Sequence, residues 1–270
     1  MQKPRLVGVL NVTPDSFSDG GQFFTTEKAI EHAIQLVRDG ASVIDIGAES
    51  TRPGATPLTP EQEWLRLERV LEALIEQFHD KNIQLSLDTR HPKNAEKAIQ
   101  LGVDWINDVS GADSKIMQQL VAAHPSCKIV AMHHLGIPAD KQKIIPLNDD
   151  VTQVVKQWCV EKIQTLESVG IPKNRIIIDP GLGFGKNAQQ SLKLLQDIHV
   201  FTDLGVELFV GHSRKSFLQP FYGDDMQQRD LGTLVASLYM AEKNVDYARV
   251  HNVALHKPAF ALQRVLREKE

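Results

Sequence analysis

Apolar residues recur along the chain in eight short runs set between polar segments. The runs cover residues 5–10, 42–47, 84–89, 105–109, 128–133, 175–179, 207–211 and 247–253. They are rich in Val, Ile and Leu and lack a clean alternation of period two. Parallel strands buried on both faces have this composition, because helices cover both sides of such a sheet. Between the runs the spacing becomes helical. Ala29, Ile30, Ala33, Ile34 and Val37 share one face at i, i+3, i+4 intervals. Trp64, Leu67, Val70, Leu71, Leu74, Ile75 and Phe78 share another. That second helix has a start signal in Thr59, Pro60 and Gln62: an N-cap, a proline at the first helical position and a capping-box partner. Val151, Val154, Val155, Trp158, Ile163 and Leu166 outline a third helix. Asp39-Gly40 and Val169-Gly170 read as helix stops.

Strands alternating with helices predict a parallel sheet with right-handed crossovers. Eight strands close a (β/α)8 TIM barrel, with the active site at the C-terminal ends of the strands. On pattern alone an open doubly wound sheet is the alternative. No linker, repeat or low-complexity stretch divides the chain, so residues 1–270 are expected to form one domain. Two long connections lack helical spacing. Residues 12–25 carry Asp19-Gly20-Gly21, and residues 48–59 carry Pro53-Gly54. Long loops of this kind are often lids.

Composition narrows the function classes. The chain is 42% apolar and 24% charged, with a net charge of −4 and no block of Lys or Arg. This argues against a nucleic-acid surface. The two cysteines, Cys127 and Cys159, lie outside any C-x-x-C or Cys/His cluster and read as buried thiols. They suit a reducing cytosol, and a cytoplasmic location is expected. No apolar run is long enough to span a membrane, so no membrane partner is expected.

Polar residues collect where the apolar runs end: Asn11, then Glu49 to Arg52, then Asp88, Asn107 with Asp108, His133, Asp179, and Ser213 to Ser216. Arg249 and His251 fall in the eighth run. Strand ends of a closed barrel share one mouth, so these side chains are expected to meet. Several familiar motifs fail. The segment GLGFGK (181–186) has Pro180 where a phosphate loop needs glycine and Asn187 where it needs Ser or Thr. The segment GHSRK (211–215) lacks the last glycine of a nucleophile elbow. His133 and His134, adjacent in a strand, point to opposite faces and do not suit one metal. Two zones remain. Asp88, Asn107 and Asp179 suit a pocket floor, where a carboxylate accepts paired hydrogen bonds from a flat edge of donors such as a pterin's. Lys215 can donate there or stack over a ring. Asn11, Arg249 and His251, on neighbouring first and last strands, suit a diphosphate and a bridging divalent ion.

These segments resemble the dihydropteroate synthase family. LNVTPDSFSDGG (10–21) is similar to its opening signature and DIGAESTRPG (45–54) to its second. SLDT (86–89), INDVSG (106–111), DPGLGFGK (179–186), SRKS (213–216) and RVH (249–251) follow in order. The resemblance runs from about residue 5 to 253. It implies a folate-biosynthesis step: 6-hydroxymethyl-7,8-dihydropterin diphosphate and 4-aminobenzoate yield 7,8-dihydropteroate and diphosphate. Carried onto matching positions, Asp88, Asn107, Met132, Asp179, Gly183, Phe184 and Lys215 hold the pterin. Asn11, Arg249 and His251 hold the diphosphate, with Asn11 as the Mg2+ ligand. Phe184, Lys215 and Ser216 border the 4-aminobenzoate slot, and Phe17, Asp19, Thr51 and Arg52 close over it. Asp88, Lys215, Arg249 and Asn11 are the catalytic set. The resemblance also implies a homodimer and susceptibility to sulfonamides, which mimic 4-aminobenzoate.

The chain departs from the family pattern at MHHLG (132–136), at His212 and at Asn252. The two extra histidines, His134 and His212, are expected near the mouth, where they would add pH sensitivity. Two other readings of the same features are a catalytically silent pterin-binding paralogue and a pterin-binding methyltransferase barrel. Arg52, Lys215 and Arg249 argue against the first, and the segments SRKS (213–216) and RVH (249–251) against the second.

Overall fold

The computed structural model describes residues 4–12, 22–50, 54–78 and 81–267. Eight parallel strands pair in sequence order, and the last closes on the first: β1 Arg5–Asn11, β2 Val43–Gly47, β3 Gln84–Asp88, β4 Trp105–Asp108, β5 Lys128–Met132, β6 Ile176–Asp179, β7 Glu207–Gly211 and β8 Tyr247–Val250. Helices cover the outside: α1 Gln22–Asp39, α2 Pro60–Phe78, α3 Pro92–Leu101, α4 Lys115–Ala123, α5 Val151–Ser168, α6 Ala188–Gln196, α7 Gln219–Tyr222, α8 Met226–Glu242 and α9 His256–Arg267. This is the closed barrel; the open sheet is excluded.

Local chemistry sets the ends of the elements. Thr59 caps α2 as read: its hydroxyl accepts from Gln62 N at 3.2 Å, and Gln62 Oε1 accepts from Thr59 N at 3.0 Å. Gly40 and Gly170, after α1 and α5, take φ of 116° and 93°. Three sequence readings need correction. Helix α1 begins at Gln22, inside the segment read as loop, because the chain turns helical before its apolar face starts. Strands β5 and β8 stop at Met132 and Val250, so His133, His134 and His251 lie beyond strand ends. Val154 on α5 is exposed, one step outside the buried stripe of Val155, Cys159, Ile163 and Leu166.

Two apolar layers result. The larger lies between the strands and the helices. The smaller plugs the barrel: Val7, Val43, Trp105, Val130, Ile177, Phe209 and Tyr247, with the Trp105 and Tyr247 rings edge to face at 4.8 Å. Beneath the plug Glu207 takes Arg5 and Lys128 as ion-pair partners. Side chains alternate along a strand, so each plug residue fixes what stands two places above it in the lumen. Those places are Val9, Asp45, Asn107, Met132, Asp179, Gly211 and Arg249. The site therefore sits on the apolar plug, carried by the same strands.

Candidate active site

The polar floor is built around a carboxylate with no exposure. Asp45 Oδ1 accepts from Ser86 Oγ at 2.6 Å. Its Oδ2 accepts from Asn107 Nδ2 at 3.0 Å and from Arg249 Nε at 2.6 Å. Arg249 Nη2 reaches Asp88 Oδ2 at 2.9 Å. One guanidinium thus bridges two carboxylates, a geometry its planar fork allows. Burial pushes Asp88 up to about 8, against the pull of Arg249, and the neighbouring Asp45 adds to the rise. Strand register brings Asn11, Gly47, Asp88 and Asn107 side by side across β1 to β4. Glycine at 47 leaves room for Asp88, whose Cβ lies 3.3 Å from where a side chain would begin.

Asp179 faces this cluster from β6. Its Oδ1 accepts from Gly181 N at 2.7 Å. Burial pushes its pKa above the usual carboxylate range, and Lys215 opposes the rise. Gly211 is the gap in the wall. A side chain there would start 3.5 Å from Asp179 Oδ2, 3.9 Å from Lys215 Nζ and 3.9 Å from Arg249 Cδ. Those three groups therefore converge on one small volume. Lys215 Nζ donates to Leu182 O at 2.5 Å and stands 4.8 Å over the Phe184 ring. Burial lowers Lys215 to about 8 even though Asp179 pulls it up.

The loop after β6 is held by Lys186. Its Nζ donates to Gly181 O at 2.9 Å, Phe184 O at 2.8 Å and His133 Nδ1 at 2.8 Å. Burial lowers this lysine to about 7 and His133 to about 3, so the contact suits a neutral His133 that accepts on Nδ1. Gly181, at φ 67°, passes so close to His133 O that a Cβ would sit 2.0 Å from it, so only glycine fits. After β7, Arg214 turns away from the mouth. It makes a bidentate pair with Asp230 at 2.7 and 2.8 Å, which leaves Lys215 pointing inward.

Asp88, Asn107, Met132, Asp179, Gly183, Phe184, Lys215 and Arg249 come together at the mouth. The two zones read from the sequence are one, because Arg249 pairs with Asp88 rather than standing apart with a diphosphate zone. Asn11 ends β1 in the same ring. His251 is held beside β7, where its Nδ1 lies 2.9 Å from Ser213 Oγ. Ser216 is exposed at the start of a short turn. Phe17, Asp19, Thr51 and Arg52 lie outside the described residues. The expectation for His212 is overturned. It is buried behind β7, with Nε2 2.7 Å from Ser237 Oγ on α8, and burial lowers it to about 4. His134 lies 3.7 Å from Asp113. Asn252 donates to Asp230 at 3.2 Å.

Two functional residues escaped the sequence reading. Asp45 was visible only inside a motif, and Lys186 only inside a failed phosphate loop. Among the described residues, one group of His, Cys, Asp or Glu is close enough to share a metal ion: Glu49, Glu63 and His91. It does not include Asn11.

Comparison with known proteins agrees with this geometry. A family model described as pterin binding enzyme matches residues 7–251. A dihydropteroate synthase type-3 from Escherichia coli is 36% identical over 97% of this chain and 99% of its own length. A probable bifunctional folylpolyglutamate synthase/dihydropteroate synthase from Halobacterium salinarum is 41% identical over 93% of this chain, which spans only 30% of that longer protein. The solved structure of a dihydropteroate synthase from Xanthomonas albilineans in complex with 7,8-dihydropteroate superposes with a TM-score of 0.87 at 34% identity, covering 100% of this chain and 95% of that one. With its barrel, its polar floor and matches that cover nearly all of it, the chain belongs to the pterin binding enzyme family, among the dihydropteroate synthases.

Proposed function

We propose that this protein condenses 6-hydroxymethyl-7,8-dihydropterin diphosphate with 4-aminobenzoate, giving 7,8-dihydropteroate and diphosphate in folate biosynthesis. The observation that carries the reading is the convergence of Asp179, Lys215 and Arg249 around the gap at Gly211, with Asp88 paired to Arg249. Carboxylates suit a flat edge of pterin donors, and the cations suit the leaving diphosphate.

The reaction breaks the bond between the pterin methylene carbon and a diphosphate oxygen. It forms a bond from that carbon to the aniline nitrogen, which then loses a proton. Positive charge develops at the methylene and spreads into the ring. Asp179 accepts from the pterin N–H edge, while Asn107, whose Nδ2 is committed to Asp45, offers its amide oxygen. The Asp88 carboxylate stabilises the ring's cationic character. Arg249 spends one N–H on Asp45 and one on Asp88 and keeps further donors for the departing diphosphate, with His251 beside it. The 4-aminobenzoate amine is neutral near pH 7, so no strong general base is needed. Phe184, Lys215 and Ser216 border its slot. Loop closure by the segments carrying Phe17, Asp19, Thr51 and Arg52 keeps water out.

Mg2+ fits the donors at this mouth. The Asn11 amide oxygen is a hard ligand, and one or two protein ligands suffice where substrate phosphates complete the shell. When bound, the ion draws off charge from the diphosphate.

The expected assembly is a homodimer. Phe221 on α7 and Leu231 and Val235 on α8 are exposed apolar side chains that support such a contact. A cytoplasmic location suits the two unpaired thiols, Cys127 and Cys159. No helix among the described residues is long and apolar enough to cross a membrane. The reading is tested by mass spectrometry of the product. Both substrates with Mg2+ should yield 7,8-dihydropteroate. Saturation with pterin diphosphate and no product would refute it.

A further inference from the structure

Glu63 is wholly buried on α2, yet only half of its carboxylate is satisfied. Its Oε2 accepts from Thr89 Oγ1 at 2.7 Å and Asn94 Nδ2 at 2.6 Å. Its Oε1 is buried with no hydrogen-bond partner. His91, in the turn after β3, has a buried Nε2 that also lacks a partner. Glu49, after β2, supplies a third donor. One donor atom from each of the three lies within 4.8 Å of the other two. Unsatisfied buried polar atoms cost about 1–3 kcal/mol each, so two in one place call for an explanation.

We propose that Glu49, Glu63 and His91 form a divalent transition-metal site of the Zn2+ class, separate from the Mg2+ position at Asn11. One imidazole nitrogen and two carboxylate oxygens suit such an ion, which commonly takes three protein ligands and a water. Glu49 is paired with Arg90, whose Nε and Nη2 lie 2.9 Å from its two oxygens, so with both carboxylates ionised Glu49, Glu63 and Arg90 carry a net −1 that draws a cation. The coordinated oxygens are still oriented, since Leu58 N donates to Glu49 Oε1 at 2.8 Å and Thr89 and Asn94 fix Glu63. The site ties together the start and end of the β2–α2 loop, helix α2 and the turn that follows Asp88. Its role is to fasten Glu49, just beyond β2, and helix α2 to the turn that follows β3.

The experiment is calorimetric titration of the untagged, chelator-stripped full chain with ZnCl2, with MgCl2 as the contrast. One Zn2+ should bind per chain. Loss of an outer partner of a metal ligand commonly costs 10–100-fold, so loss of a ligand itself, in His91→Gln, should weaken binding by at least about 100-fold. Asn11→Ala should leave Zn2+ affinity unchanged. Co2+ should give visible d–d absorption in the wild type and not in His91→Gln. His91→Gln is the decisive variant because its half-buried position tolerates an amide, whereas Glu63→Gln serves as a second ligand variant if it folds. A wild-type chain that binds no Zn2+ would overturn the proposal and leave a direct His91–Glu63 hydrogen bond as the explanation. Zn2+ binding that survives His91→Gln would overturn it too. Neither result depends on synthase activity.

Discussion

At the scale of single residues, most of the site was legible because eight polar strand ends, several carrying Asp, Asn, Lys, Arg or His, exceed what the ordinary passage from strand to loop accounts for. Asp88, Asn107, Asp179 and Lys215 were read that way. Asp45 was not, for a physical reason. Both faces of these strands are buried, so a mid-strand acid gives no sign of whether it faces the lumen or the helices. Only the plug, with Val43 two residues below, settles it. Asp45→Asn removes the charge that holds Arg249 Nε while keeping the volume. We predict that kcat/KM falls about 100-fold, roughly 3 kcal/mol of lost transition-state stabilisation, with the fold retained by circular dichroism. A loss under threefold would show that Asp88 alone positions Arg249. Gly211→Ala places a methyl group among Asp179, Lys215 and Arg249 at ordinary contact distances. Pterin affinity should drop at least tenfold by calorimetry while the melting temperature barely moves. Asp88 and Lys215 both titrate near 8, the first needed ionised and the second needed protonated. The kcat/KM profile should therefore be bell-shaped with its maximum near pH 8, the two limbs belonging to the coupled cluster. A profile flat from pH 6.5 to 9.5 would rule this out.

At the scale of elements, the strands and helices α2 and α5 were readable from periodicity and caps, while the α1 start was masked by the loop that precedes it. What periodicity cannot show is the polar network behind β7. His212 Nε2 and His256 Nε2 both lie within hydrogen-bond reach of Ser237 Oγ, at 2.7 and 2.9 Å, joining β7, α8 and α9. Burial lowers His212 from 6.5 to about 4 and lowers His256 as well. The unfolded chain binds these protons first. Stability is therefore full above about pH 6.5 and is lost as pH falls toward 4, on the order of 3 kcal/mol for His212. Urea denaturation at pH 7 and pH 5 should show this slope, and His212→Gln should flatten it. An unchanged slope in that variant would place the acid sensitivity elsewhere.

At the scale of the whole molecule, a closed barrel was legible as eight alternating units, and the comparisons agree over nearly the full chain. Assembly was not, because a dimer face is a surface property with no period. If α7 and α8 meet a second copy, sedimentation should give twice the 30.2 kDa chain mass, and Leu231→Glu with Val235→Glu should give the monomer. The central claim is the chemistry at the mouth. Its most direct test is diphosphate release from the purified chain given pterin diphosphate, Mg2+ and 4-aminobenzoate. Release that requires the amine and disappears with EDTA and in Lys215→Ala is the predicted result. Tight pterin binding without amine-dependent release would contradict the account and leave a silent pterin-binding barrel.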